Sequence, residues 1–590
     1  MQETLLSADE RAIADAISRE RLLEDTAAIA QWVRLSGSPE ERKAFEYIAG
    51  VLRKLGVAPK LYLGMGYISL PVSAELEVAG RPLAAITHSM AASTPVDGIR
   101  LPLVAAGSGN APDYSGLDVH GKAVLMDGLA APARVLAAQR AGASACVFAN
   151  TDDIPHEMIV SGVWGSPEPQ DVEHLPRIPV VSTGGRESAV LREVMRAGAP
   201  VEVTLRTVVD TRWTEIPTLI AQVDAPGDPA PFVLFSGHVD SWHYGAMDNG
   251  TANATQLEVL RALLPHRQRF RRSLRLAFWS GHSHGRYAGS AWYADQFWED
   301  LHDHCVAHIN IDSVGGQRAT VLSEANIMAE AQPVAAEVIG ALTGVEFSGT
   351  RYGRAGDQSF QCHGIPSLFM SLSEQTPSQG DTSAGFASVI GGPGAKGGGL
   401  GWWWHTPEDT IDKIDPDLLV RDARIYAVVT HRFVTQPVPP LDVRASAADL
   451  LTHITAWHEK ARGRFDLSAV VERARLVAET ARTFQEALER ASATLSENQL
   501  KAANAALVAA ERPLVRANYT QSGLFRSDPA LGEPPVPLLA PIEDLIKTPA
   551  GSDSEYLLLT QLVRRRNALM HELAEAHAAL QQGVNLLASP

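Results

Sequence analysis

Phe232-Val-Leu-Phe-Ser-Gly-His238-Val-Asp240, followed by Met247-Asp248-Asn-Gly-Thr251, carries the pattern from which the fold follows. An unbroken apolar run bounded by Ser-Gly is a strand buried on both faces. It ends in an imidazole and carboxylates rather than in ordinary turn residues. The same pattern recurs downstream. Leu274–Trp279 runs into Ser280-Gly-His282-Ser-His284-Gly285, Val306–Ile311 into Asp312, and His405 stands in Trp404-His405-Thr-Pro-Glu-Asp409-Thr. Pro366–Met370 is a further apolar strand, and Ala254–Leu264 has helical spacing. Apolar strands alternating with helices predict an α/β fold, a mostly parallel sheet flanked by helices. In such sheets ligands gather beyond the carboxyl ends of the strands, where all these polar residues lie.

The flanks have other textures. Leu22–Leu55 reads as two helices, the second started by Ser38-Pro39-Glu40-Glu41. From about Lys60 to Thr211 short strands and Gly/Pro turns predict a small α/β unit, with strands at Ala123–Asp127 and Ala145–Ala149 around a helix at Pro132–Ala141. After Gln436-Pro-Val-Pro-Pro440 the chain is rich in Ala, Leu, Glu and Arg, with long amphipathic helices expected over Asp466–Leu500 and Tyr556–Leu587. The expected division is 1–58 with 212–440, an insert at 59–211, and a helical part at 441–590. Gly391–Gly401 is the only low-complexity stretch.

Of the 590 residues, 51 are Lys or Arg and 68 are Asp or Glu, a net charge of −17. That balance argues against nucleic acid or an anionic membrane as the main partner. No apolar run reaches the ~18 residues of a spanning helix, and the charged N-terminus lacks a secretory h-region. Cys146, Cys305 and Cys362 are sparse and distant. Together these features predict a cytoplasmic protein.

Imidazoles and carboxylates from separate strand ends are the donors of a borderline-to-hard divalent cation. In combination, His238-Val-Asp240, Asp248-Asn-Gly-Thr, Asn310-Ile-Asp312 and His405-Thr-Pro-Glu-Asp resemble the co-catalytic zinc aminopeptidase family, which includes glutamate carboxypeptidases, carboxypeptidase Q and the silent transferrin receptors. Gly121–Asn150 resembles that family's protease-associated insert, and the tail its helical dimerisation domain. The resemblance implies a metal-dependent hydrolase of an amide bond in a small peptide or peptide-like substrate, and a homodimer through the C-terminal helices. It implies that His238 and Asp312 hold one metal, that Asp248 bridges, that His405 holds a second, and that Asp240 orients His238. It also implies a cis peptide at Asp248-Asn249. Zinc is the foremost cofactor, as one or two ions, with nickel, iron, copper and manganese as alternatives.

One segment departs from the family. Where two adjacent glutamates supply the base and a ligand, this chain has His282-Ser283-His284. Aligning on Trp279 sets His282 at the base position; aligning on Gly289-Ser290 sets His284 at the ligand. The expectation is His284 as metal ligand and His282 as base, since imidazole titrates near neutrality. Trp404, Arg354 and Tyr287 are the candidate substrate contacts, with Arg286 and Arg351 as further guanidiniums able to clamp a carboxylate. Asp357 is expected behind the reacting groups. The alternatives are a catalytically silent scaffold like the transferrin receptors and a single-metal cyclase or amidase.

Overall fold

The computed structural model describes residues 6–197, 200–323, 325–376 and 399–588. The chain is mixed α/β, a large sheet flanked by helices with a helical C-terminal region. At its centre Phe232–His238 lies parallel to both Ser273–Trp279 and Cys305–Asn310, and Cys305–Asn310 lies parallel to Ser367–Leu368. These strands bury both faces: every residue of Phe232–His238 and Cys305–Asn310 is buried. The unbroken apolar runs are therefore a demand of the layers above and below. The parallel register sets His238 beside Trp279 and Asn310 beside Ser236, so the polar ends of three strands emerge on one edge.

The N-terminal helices are Ala8–Ala16, Arg19–Ala30 and Pro39–Lys54. Ser38 caps the third by accepting the Glu41 N–H, with Pro39 in the first turn and acids at the positive end. Two strands then carry the insert. Pro59–Val78 and Glu202–Val223 pair antiparallel from Pro59 opposite Ala221 to Val78 opposite Val203. The base of this ribbon joins the central sheet through Ser273–Trp279. The expected boundary at 211/212 thus falls inside a single strand, whose alternating residues give no turn signal there. Above it Ala123–Asp127, Ala145–Ala149 and Val180–Thr183 form a parallel trio with the helix Pro132–Arg140.

The tail holds Val443–Lys460, Ser468–Ala491, Glu497–Tyr519 and Asp553–Ala588. The single helix expected over 466–500 is two. Ser496 accepts the Gln499 N–H and the Gln499 side chain returns to the Ser496 N–H, a capping box that starts a new helix where periodicity alone shows none. The segment between the last two helices reaches back to the body: Ala530 N–H donates to the Gly162 carbonyl, and buried Arg354 pairs with buried Asp528. Gly391–Gly398 of the glycine cluster lie outside the described residues. No helix among the described residues is long and apolar enough to cross a membrane.

Several histidines are held neutral in the core. His88 accepts the Met158 N–H at Nδ1 (3.2 Å), so its Nε2–H donates to Ser182 Oγ (2.7 Å), and burial lowers its pKa to about 3. His308, beside Ser236 Oγ at 2.8 Å, is lowered to about 3 for the same reason. Because these folded-state values lie below the unfolded value, the stabilisation is complete above pH ~6.5 and is lost as pH falls toward 3, at about 1.4 kcal/mol per pH unit for each histidine. His88→Gln is expected to flatten the fall in unfolding free energy between pH 6 and 4 by about that slope. Urea melts at stepped pH measure it, and an unchanged slope contradicts the assignment.

Candidate metal centre

His238 closes its strand with its ring turned by its own neighbour. Nδ1–H donates to the Asp240 main-chain carbonyl at 2.9 Å, so Nε2 faces the opposite way. There it meets Asp248 Oδ1 at 3.2 Å and Asp312 Oδ1 at 3.5 Å. The other oxygen of Asp248 lies 3.0 Å from His405 Nε2. His405 is aimed by its Nδ1–H, which donates to the Glu157 carbonyl at 2.6 Å, and its ring stacks on Trp404 at 3.5 Å. Asp248 thus presents one oxygen to each of two imidazoles. Its loop is held by Asp409, whose carboxylate accepts the N–H groups of Met247 (2.9 Å) and Asp248 (3.0 Å), and the Asp248–Asn249 peptide is cis.

The donors fit a divalent cation. His238 Nε2 and Asp248 Oδ1 are buried with no hydrogen-bond partner. Ligands about 2.0–2.2 Å from a tetrahedral zinc stand about 3.4 Å from one another, which brackets the 3.2 and 3.5 Å separations around His238 Nε2. Among the described residues, His238, His282 and Asp312 form the one group of three whose ligand atoms lie within 4.8 Å of each other.

Electrostatics follow from this crowding. Burial disfavours the cationic form of His238, but the negative charges of Asp312, Asp240 and Asp248 close by outweigh it and hold its pKa well above the usual value. Burial likewise opposes ionisation of Asp248, and His238 and His405 overcome it to hold that carboxyl well below the ordinary range. In both cases opposite charge close by outweighs the cost of burial. Asp409 differs: burial raises it to about 7 against its two N–H donors.

The two histidines of the unusual segment part company. The His282 ring lies nearly parallel on His238 (3.7 Å, 14°), and its Nδ1 is 3.0 Å from Asp357 Oδ2, while Nε2 points toward Asp312 Oδ2 at 4.0 Å. Asp357 is fixed in turn by Ser290 Oγ–H at 2.9 Å. His284, expected at the second metal, lies outside the group of three. Its Nδ1 faces Ser36 Oγ at 2.9 Å, its ring packs on Trp242, and burial lowers it to about 4. The loop is held by Asp240, whose buried carboxylate accepts the N–H groups of His282 (3.2 Å) and Ser283 (2.8 Å) and the Ser36 hydroxyl (2.7 Å). Those bonds turn the loop so that residue 282 faces His238.

A cavity of about 50 Å³ lies over the centre, lined by Asp248, His282, Arg286, Tyr287, Asp312, Trp404 and His405 among others. Tyr287 meets His282 edge-on at 4.9 Å and Trp164 at 4.5 Å. Trp404 and Tyr287, both named as candidate substrate contacts, line this cavity. Arg354 does not. Its guanidinium is taken up by Asp528, Gln361 Oε1 and the Tyr519 carbonyl, a tie between the body and the tail that a lone arginine codon cannot announce. Arg351 is likewise spent on the Asn518 carbonyl and Asp449. Asp409, Ser36 and Glu157 support the site without a sequence pattern that assigns them to it. Asp409 stood inside the quoted His405 motif; Glu157 acts through its main chain, which leaves no side-chain signal.

Residues 218–430 match Peptidase family M28. Residues 99–191 match the PA domain. The kinship expected from the motifs, with zinc aminopeptidases and glutamate carboxypeptidases, is thereby shown, and the M28 region is metallopeptidase-like. A probable glutamate carboxypeptidase VP8 of Zea mays is 30% identical over 116 residues, 19% of this chain and 16% of that relative's length. The probable lipoprotein aminopeptidase LpqL of Mycobacterium tuberculosis is 26% identical over 426 residues, 67% of this chain and 79% of its own. The zinc aminopeptidase BSAP of Bacillus subtilis shares the fold at a TM-score of 0.54 and 21% identity, over 71% of this chain and 96% of that one.

Asp240→Ala strips an acceptor from the buried Ser283 N–H, the part-buried His282 N–H and the buried Ser36 hydroxyl, a loss of about 1–3 kcal/mol for each buried group. The expected result is a marked fall in melting temperature together with weaker divalent-metal retention. Calorimetry and metal analysis of the variant check both, and a variant as stable as the parent refutes the anchoring role.

Proposed function

We propose that the chain hydrolyses an amide bond of a small peptide or peptide-like substrate with the help of one or two divalent cations, zinc foremost. The observation that carries this reading is the Asp248 carboxylate set between His238 Nε2 and His405 Nε2, with Asp312 Oδ1 3.5 Å from His238 Nε2. His238, Asp248 and Asp312 would hold one cation, and Asp248 and His405 a second. When bound, a divalent cation polarises the substrate carbonyl and makes water acidic enough to be used near neutral pH.

The chain's own part is positioning and proton transfer. Asp240 fixes His238 through its carbonyl and the 282–283 loop through its carboxylate. Asp357 accepts from His282 Nδ1–H, which leaves Nε2 as the lone-pair nitrogen beside Asp312. His282 Nε2 takes a proton from the attacking water and returns it to the departing amine. An imidazole oriented by a carboxylate so replaces the glutamate base of the family. Trp404 and Tyr287 wall the reacting group. His284 supports the loop through Ser36 and Asp240.

A homodimer through the C-terminal helices belongs to the same reading, and Tyr556 and Leu557, exposed at the start of Asp553–Ala588, are apolar side chains it would cover. The three cysteines are buried and unpaired, in keeping with a reducing, cytoplasmic setting.

Purified protein is expected to carry stoichiometric divalent metal that His405→Ala or Asp248→Ala loses. Metal-free protein whose stability is indifferent to added zinc supports a silent scaffold instead. His282→Gln is expected to lower kcat about 10²–10⁴-fold with metal content unchanged, and Asp357→Asn to act in the same direction. Retained turnover in His282→Gln removes the proton-transfer assignment. Product analysis by mass spectrometry separates water addition from ring closure.

A further inference from the structure

We infer that His156, a residue of the insert, positions His405, so that the cation held by Asp248 and His405 depends on the insert while the one held by His238, Asp248 and Asp312 depends on the sheet. This rests on the metal-centre reading above. It adds a residue that acts through another, and an inequality between the two sites.

Glu157 of the insert grips His405 twice. Its carbonyl accepts the His405 Nδ1–H at 2.6 Å, and its N–H donates to the His405 carbonyl at 3.0 Å. Ring and main chain are thus held by one residue. His405 has a left-handed φ of +58°, which a residue with a side chain keeps only where its surroundings enforce it. His238 and Asp312 have a different support. His238 ends one central strand and Asp312 stands two residues past another, and His238 is aimed by the Asp240 carbonyl.

His156 sets where Glu157 stands. Its side chain is fully buried, with Nδ1 2.5 Å from the Trp404 carbonyl and Nε2 2.8 Å from Asp152 Oδ2. A carbonyl only accepts, so Nδ1 carries a hydrogen and donates it. A ring fixed at both nitrogens cannot turn without leaving a buried polar atom unpaired. The segment is fastened to the insert on either side. Gly185 N–H donates to the Asp152 carbonyl at 2.7 Å, Met158 N–H to His88 Nδ1 at 3.2 Å, and Ser89 N–H to the Met158 carbonyl at 3.1 Å. His156 and Glu157, both within the residues that match the PA domain, therefore carry the position of the insert to Trp404-His405. Removing a partner that orients a metal-binding imidazole weakens metal affinity about 10–100-fold.

Zinc titration against a chromophoric chelator, with metal per chain counted by mass spectrometry, reads the two sites separately. The parent is expected to hold two zinc ions of unequal affinity. His156→Leu, which removes the donor to Trp404, is expected to keep the tighter ion and to bind the weaker one about 10–100-fold less well. His156→Asn, whose amide N–H stands near the place of Nδ1–H, is expected to restore most of that loss. Hydrogen exchange of the metal-free proteins reads the grip without any cation. The Glu157 N–H is expected to exchange faster in His156→Leu and near the parental rate in His156→Asn, with melting temperature confirming that both fold. Unchanged exchange in His156→Leu overturns the positioning role, and zinc sites weakened equally or not at all overturn the separate supports. A parent that binds no zinc while the exchange effect is present sinks the metal-centre reading and leaves the grip on His405 standing.

Discussion

The structure depends on keeping a carboxylate charged where water is scarce. Asp248 sits 6% exposed at the carboxyl edge of a sheet buried on both faces. Burial works against its charge, and two imidazoles 3.2 and 3.0 Å away work for it. Much around it serves that balance. Asp409 grips the two N–H groups of the loop, Asn253 Nδ2–H donates to the His238 carbonyl at 2.7 Å, and the Asp240 carbonyl fixes the His238 tautomer. Side chains held this way would be oriented before any cation arrived, and so would avoid the reorganisation that otherwise weakens binding.

A second ring of interactions decides which residues may approach. Asp240 accepts three donors and so fixes the course of the loop after Trp279. That loop carries His282 onto His238 and turns His284 toward Ser36, which separates two side chains only two positions apart. Asp357 and Ser290 then hold the outer nitrogen of His282. An imidazole–carboxylate pair from two distant segments is thereby assembled beside His238.

The insert and the tail are more than appendages. Glu157 aims His405 through a main-chain carbonyl, Trp164 backs Tyr287, and Ala530 anchors Arg286. The Arg354–Asp528 pair, buried on both sides, fastens the tail to the sheet. Breaking one partner would leave an uncompensated charge in the interior, which is far costlier than losing a surface pair.

Much was legible in the chain itself. Unbroken apolar runs ending in His238, Asp312 and the 282–284 segment gave a parallel sheet and a polar edge, because side chains buried on both faces must be apolar until the strand leaves the core. The His405 motif and the Asp248 loop gave the remaining donors. What one dimension could not decide was direction. Whether His282 or His284 faces the cluster depends on N–H groups bonding to Asp240 some forty residues earlier, and whether Arg354 or Arg286 stays unpaired depends on Asp528 and Ala530 in the tail. Periodicity and local propensity fix which residues are inside; the partners that orient or consume a buried polar group come from anywhere in the chain, and only folding brings them together.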